Sequence, residues 1–350
     1  MRQNRRNIGK KLVVMSLVVS GMLLFAACGK KEKTQESGLT ALTPGTSSET
    51  PGDNKQNNDA TDPKLQAILA DAYFSDEYNE YFLGGISYKL DKAAKTASAT
   101  GVYPYDETSF YMPDEFSYDG TNYKVISVAD GLLAHQEQMT SVRLSENLTQ
   151  IPDSMFYGCE AIAKIELPKG IVSIGDNAFT QCYSLSDIVL SESLTKIGAE
   201  AFFGCEMLRK LTIPDSVSEI GTAAFYECSL LSELKLPASL KVLPDEALNN
   251  CVCLKELVLP EGLNQIGFEV FWGCTALKNI VIPDSVVSIG SRCFYDCSGL
   301  ETVTLPKGMT EFDTELLAYC ESIKTIYAPE GIVEDIKEYY QFDEIEVIAR

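Results

Sequence analysis

A cysteine returns every 23 residues along nearly half of this chain, at Cys159, Cys182, Cys205, Cys228, Cys251, Cys274, Cys297 and Cys320. Other columns keep the same step. Ahead of each cysteine comes Phe156, Phe179, Phe202, Phe225, Leu248, Phe271, Phe294 or Leu317. Further ahead stands Ile151, Ile174, Ile197, Ile220, Leu243, Ile266, Ile289 or Phe312. A proline follows in most copies (Pro168, Pro214, Pro237, Pro260, Pro283, Pro306, Pro329), with Ser191 departing. Independent columns that agree on one period predict a solenoid, in which each coil touches only its neighbours. Chain length is then no guide to domain number.

The coil from Cys205 to Ser229 shows how one period folds. Leu208, Leu211 and Ile213 alternate inward along a strand while Lys210 and Thr212 face out. Pro214 ends the strand because it cannot donate to a ladder. Val217 and Ile220 turn inward again, Gly221 makes the bend, and Ala224 and Phe225 return the chain to Cys228. The glycine column (Gly175, Gly198, Gly221, Gly267, Gly290) carries Pro152 and Pro244 in two copies. Proline holds φ near about −65°, so this column calls for close packing rather than a left-handed backbone. A coil offers roughly six apolar side chains, each stabilising by roughly 1.5–3 kcal/mol when covered, and only stacking covers them. Nine coils, counting a degenerate first one at Val125, Val128, Leu133, Met139, Val142 and Leu144, predict a parallel ladder ~43 Å long at ~4.8 Å per coil.

The cysteines are 11 in all: eight in the column, Cys28 near the start, and Cys253 and Cys293. In-register side chains point parallel rather than at each other, so the column is expected to be small, buried, free thiols. Cys293 falls in a column of alanines and reads as a small core residue. Cys251 and Cys253 make a lone C-x-C with no histidine near, which is a weak metal signal. No cofactor is implied.

The N-terminus has its own grammar. Met1 to Lys11 is basic and Leu12 to Ala27 almost wholly apolar, too short for a spanning helix but suited to a secretory leader. It closes on Leu24-Phe25-Ala26-Ala27-Cys28, similar to a bacterial lipobox, which implies residues 1–27 as a lipoprotein signal peptide and lipid on Cys28. Residues 28–63 are polar and expected to form a disordered tether, with a coil span of ~33 Å. Lys64 to Leu83 carries Leu65, Ile68, Leu69, Ala72 and Tyr73 at helical spacing, ended by Gly84-Gly85. Alternation from Ile86 then predicts short antiparallel strands, so 64–124 is expected to be a helix and β cap over the first open coil. The solenoid is assigned to 125–328 and a C-terminal cap to 329–350.

Net charge is −21, and removal of the basic leader leaves 24 bases against 50 acids, or −26. That sign repels nucleic-acid phosphates and anionic lipid headgroups. It suits either plain solubility or a basic partner.

The run Leu208-Arg209-Lys210-Leu211-Thr212-Ile213-Pro214, with Ile197-Gly198-Ala199-Glu200-Ala201-Phe202-Phe203-Gly204-Cys205, resembles the bacterial leucine-rich repeat of BspA-like surface proteins. The lead-in at Ile86, Tyr88 and Leu90 and the ending Ile326-Tyr327-Ala328-Pro329 with a helix over Val333 to Tyr340 are similar to that family's caps. The resemblance implies an α/β leucine-rich-repeat solenoid, an exported surface location, and adhesion to host or bacterial partners. It carries over no catalytic residue and no particular target.

Two outward surfaces are candidates for a macromolecular partner, expected to be a protein. On the strand face, Lys235, Val258, Val281 and Tyr327 share a column that grows less polar towards the C-terminus. The neighbouring column, from Lys164 and Asp187 to Lys210 and Glu233, alternates in sign as cross-strand pairs would. Beside the buried phenylalanines, Tyr157, Phe203, Tyr226, Trp272 and Tyr295 form an aromatic ridge interrupted by Thr180, Asn249 and Ala318.

An enzyme is disfavoured. The single histidine, His135, sits at a turn, which leaves no HExxH and one candidate base for any nucleophilic triad. No coil carries an insertion that would build a pocket. Asp114, Glu115 and Asp119 cluster in the lead-in and read as a solvated turn rather than a calcium site. The rival readings are an envelope scaffold without external ligand and a hydrolase with its site in 64–124.

Overall fold

The structure is a computed structural model and describes residues 72–75, 78–102, 108–340 and 344–350. The expected leader, lipidated Cys28, tether and the first residues of the expected helix all lie outside the described residues.

Stacking at the 23-residue step builds a β-solenoid of about nine turns. Each regular coil contributes two short parallel strands. Register is kept by the repeat itself: Lys164, Ile165 and Glu166 pair with Asp187, Ile188 and Val189, and Ser173 and Ile174 with Lys196 and Ile197. The second, two-residue strand, Glu219–Ile220 in one coil, falls where the spacing of Val217 and Ile220 predicts only an inward turn. No helix occurs in the described coils, and among the described residues the one α-helix is α1 (Val333–Tyr339) in the C-terminal cap. After α1, Glu346–Ala349 adds in parallel beside Thr325–Ala328 and closes that end.

A third ladder runs along the turns on the cysteine side. There the amides of Ser154, Phe156 and Gly158 donate to the carbonyls of Asp176, Ala178 and Thr180 in the next coil, at 2.8 Å each. The pattern recurs down the stack, for example from Glu246, Leu248 and Asn250 to Phe268, Val270 and Trp272. Closing this arc takes two left-handed residues per coil. One column runs Ser154, Asn177, Glu200, Ala223, Glu246, Glu269 and Arg292; the other runs Gly158, Gln181, Gly204, Glu227, Asn250, Gly273, Asp296 and Tyr319, and His135 is its first member.

The core follows the sequence columns. The phenylalanines are fully buried and stack coil on coil, with ring centroids 5.2 Å apart for Phe156–Phe179 and Phe179–Phe202 and 5.1 Å for Phe271–Phe294. The column cysteines and Cys293 are free thiols, as expected. Each column thiol also donates to the carbonyl of the preceding coil's phenylalanine-column residue, for instance Cys182 to Phe156 at 3.2 Å and Cys297 to Phe271 at 3.0 Å. These bonds give a second donor to buried carbonyls that already accept an amide within their own turn, as Phe156 does from Cys159 at 3.0 Å. Burial pushes the Cys159, Cys228 and Cys274 thiols up to about 12, so they stay protonated and inert.

The glycine column is tight for the reason expected. A Cβ at Gly198 would sit 2.5 Å from the Gly175 carbonyl carbon and 2.6 Å from the Asp176 nitrogen. Where proline replaces glycine the ladder stops. Gly175, Gly198, Gly221, Gly267 and Gly290 each donate to an isoleucine or leucine carbonyl of the coil before, and Pro244 has no N–H to do so. The narrow ladder accordingly ends at Glu219–Ile220 and restarts at Val242–Leu243. The wide-strand ladder is broken in the same coil, where Glu256 to Val258 form no strand, and again between Asp187–Val189 and Lys210–Thr212. The continuous ladder expected from the period is therefore a series of segments.

The N-terminal cap corrects two expectations. The helical spacing read over 64–83 does not hold where the structure describes it: β1 (Tyr73–Ser75) and β2 (Glu80–Leu83) are strands. Aromatic rings decide this, because pairing lets Tyr73 stack on Phe82 at 4.9 Å, Tyr81 on Phe116 at 5.0 Å and Phe74 on Tyr118 at 5.5 Å. The remaining cap strands are β3 (Ile86–Asp91), β4 (Thr96–Val102), β5 (Ser109–Tyr111), β6 (Glu115–Tyr118) and β7 (Thr121–Val128). Not all are antiparallel as expected. β4 and β7 run parallel, and β5 pairs in parallel with β8 (Ser141–Arg143) of the first coil.

Candidate binding faces

The coil strands place the candidate residues of the first face on an exposed sheet surface. Lys235, Val258 and Val281 point outward, the two valines 85% and 62% exposed, while Tyr327 is half-buried. The structure does not join them into one ladder: Val281 and Tyr327 belong to a C-terminal sheet, Lys235 to a separate pair, and Val258 to the coil without a strand. The alternating charges beside them do pair, Lys210 with Glu233 at 2.6 Å and Lys164 with Asp187 at 3.6 Å. Much of this face's charge is therefore satisfied within the chain.

The ridge differs. The arc ladder fixes Tyr157, Phe203, Tyr226, Trp272 and Tyr295 at one register, each half-buried beside the core phenylalanines. Phe203 and Tyr226 stack at 4.8 Å and 4°, and Trp272 lies 4.4 Å from Tyr295. Tyr319, in the neighbouring left-handed column, extends the row: it is 54% exposed and 4.9 Å from Tyr295. Sequence reasoning missed Tyr319 because it is one position out of the column. The backbone of these rings is already paired, its carbonyls between coils and its amides within the turn, as Tyr226 donates to Ala223 at 3.1 Å.

Carboxylates flank the rings. Burial and the nearby charge of Glu206 hold the Glu227 carboxyl above its ordinary value, and burial with the charge of Glu246 does the same for Glu269. Burial first, then Glu227 and Glu246, push up the Tyr226 hydroxyl. Arg292 is the cation of this strip: it lies 6.0 Å over the Tyr295 ring and binds Glu315 at 2.7 Å and Glu269 at 3.7 Å.

Other candidates resolve as structure. Asp114 is held by Arg143 at 2.7 Å and accepts the Glu146 amide at 2.7 Å, which fastens the cap to the first coil. His135 lies with its ring 5.1 Å from Tyr157, at the start of the arc. Among the described residues no group of three or more His, Cys, Asp or Glu could hold a metal ion.

Comparison with protein families matches the BspA-type leucine-rich repeat region in six copies, over residues 108–231 and 218–346. The chain belongs to this family. Among solved structures it is similar to a leucine-rich repeat protein from Bacteroides ovatus, at 24% identity and TM-score 0.59, covering 76% of this chain and 75% of that one. The T. pallidum leucine-rich repeat protein is 33% identical with TM-score 0.51, over 55% of this chain and 88% of that one. A leucine-rich cell surface protein from Faecalibacterium prausnitzii is similar at 22% identity and TM-score 0.53, over 79% and 94%. Among curated proteins no match is found. Membership of the BspA-type family accounts for the repeat spacing and supports a repeat-based binding or scaffold role. No helix among the described residues is long and apolar enough to cross a membrane.

Proposed function

We propose that this BspA-type chain is an exported lipoprotein, anchored to the cell envelope through lipid on Cys28, that binds a protein partner in the manner of an adhesin and performs no chemistry of its own. The observation that carries the binding role is the in-register ridge of half-buried rings from Tyr157 to Tyr295, extended by Tyr319 from the neighbouring column. Aromatic side chains contribute large contact area at small entropic cost, which is why they dominate binding hot spots. The strand face is the lesser surface, its valines separated by a break in the ladder. The cell-surface description of the Faecalibacterium prausnitzii protein supports the location.

Protease shaving of intact cells tests exposure, and Cys28→Ser is expected to release the protein into the medium. Capture from envelope lysate and host matrix, with wild-type and Trp272→Ala baits, tests the ridge. Retained membrane association of Cys28→Ser would refute the anchor. Undiminished capture by Trp272→Ala would remove the ridge from the binding role.

A further inference from the structure

We infer that the aromatic ridge is a site for a cationic, lysine- or arginine-rich segment of a protein partner, an assignment that rests on the binding role proposed above. The rings supply the first half of the chemistry. Tyrosine and tryptophan faces that no stacked neighbour covers attract ammonium and guanidinium groups through the ring quadrupole. The chain already shows one such contact on this strip, in Arg292 over Tyr295.

The carboxylates supply the second half. Glu160, Glu206, Glu227 and Glu246 make no ion pair among the described residues, and neither do Asp296 and Glu321. Tyr183 feels Glu160, Glu206 and Glu227, and Tyr226 feels Glu227, Glu246 and Glu269, which joins Glu160 to Glu269 in one strip; Asp296 feels Glu321 as a separate pair. Arg292 offsets only Glu269 and Glu315, at the C-terminal end. The strand face is the internal comparison, because its lysines alternate with its acids and pair with them.

An independent observation falls within the same strip. Asn249 takes the register position between Tyr226 and Trp272, is 3% exposed, and its Oδ1 is buried without a hydrogen-bond partner. A buried acceptor left unpartnered is costly to the fold alone. Here it adds an uncompensated negative dipole beneath the point where the ring row is interrupted. Rings, unpaired carboxylates and this dipole all favour the same partner, a chain of positive side chains laid along the arc.

The test uses the full chain with deca-lysine, deca-arginine and deca-glutamate peptides, followed by Trp272 fluorescence and calorimetry at low and high salt. Both cationic peptides are expected to bind and to weaken with salt, arginine the tighter because its plane stacks on rings. Glu227→Gln/Glu246→Gln is expected to weaken binding about fivefold or more, from two exposed pairs of roughly 0.5 kcal/mol or above each. Glu166→Gln/Glu256→Gln makes the same change in net charge on the strand face and is expected to stay within about twofold. Thermal melts confirm that both variants fold. Equal losses in the two variants, or equal binding of deca-glutamate, would overturn the assignment. If cationic peptides fail to bind while Trp272→Ala still abolishes partner capture, the binding role stands and the cationic ligand is wrong. If both fail, both are wrong.

Discussion

Replacing Gly198 with alanine puts the stacking geometry to a direct test. The backbone there is not left-handed, so the substitution carries no conformational penalty of its own. The new methyl would lie 2.5 Å from the Gly175 carbonyl carbon, 2.5 Å from Asp176 Oδ1 and 2.6 Å from the Asp176 nitrogen. Reaching ordinary contact at 3.4 Å requires the two coils to part locally by about 0.9 Å. Two bonds span that gap: the Gly198 amide to the Ile174 carbonyl at 2.9 Å, and the Ala199 amide to Asp176 Oδ1 at 2.8 Å. Losing both costs about 1–3 kcal/mol, and the overpacking adds about 1–3 kcal/mol, for a total of roughly 2–6 kcal/mol. Gly308 is the control, because its Cβ would meet nothing within 4 Å and its φ is ordinary. Gly308→Ala is expected to be neutral or stabilising by up to about 1 kcal/mol. Urea denaturation of both variants measures the difference, with hydrogen exchange to show that protection falls in the coils around Gly198. A Gly198→Ala protein within about 0.5 kcal/mol of wild type would refute the packing account.

Further outcomes follow from the turns and thiols. Gly158→Ala forces a Cβ onto a φ of +69° and is expected to cost about 1–2 kcal/mol, read as a lowered Tm. Cys228→Ala removes the bond to the Phe202 carbonyl at 3.2 Å and should cost about 0.5–1.5 kcal/mol in denaturant, since that carbonyl keeps the Cys205 amide at 3.1 Å. The raised thiols also set an alkaline limit. Folded Cys159, Cys228 and Cys274 hold their protons to about 12 whereas unfolded thiols release theirs near 9. Their contribution is complete below about 9 and is lost as pH rises from there towards about 12. Denaturation midpoints should therefore fall steadily above pH 9. A thiol reagent should label these cysteines only on unfolding.

The period made the solenoid legible because 23-residue columns of isoleucine, phenylalanine, cysteine and glycine each report the same buried geometry. The close packing at Gly198 was legible too, since Pro152 and Pro244 in its column excluded a left-handed turn. The left-handed positions were not. Glycine marks only Gly158, Gly204 and Gly273 in a column that also holds Gln181, Glu227, Asn250, Asp296 and Tyr319. The solenoid imposes that conformation through hydrogen bonds between coils, which overrides residue preference. The same tertiary override made strands of Tyr73–Ser75 and Glu80–Leu83, where ring stacking on Phe116 and Tyr118 outweighed a helical spacing of apolar residues. In the ridge, column reading found the five aligned rings, but Tyr319 and the flanking acids occupy different columns and converge only when the arc closes.

The coil from Val242 to Leu263 departs from its neighbours in several columns at once. Pro244 stops the narrow ladder, Leu248 interrupts the phenylalanine stack, Asn249 the ridge, and Glu256 to Val258 form no strand. The arc crosses it intact, through Phe225 to Ala247 at 3.0 Å and Leu248 to Val270 at 3.1 Å, and the thiol bonds cross beside it, Cys251 to Phe225 and Cys274 to Leu248 at 3.3 Å each. Under tension or bending, opening there meets less resistance on the sheet flank than on the flank of the rings. The two halves are thereby given a built-in direction of flexure, along which the spacing of Tyr226 and Trp272 is the quantity that changes least.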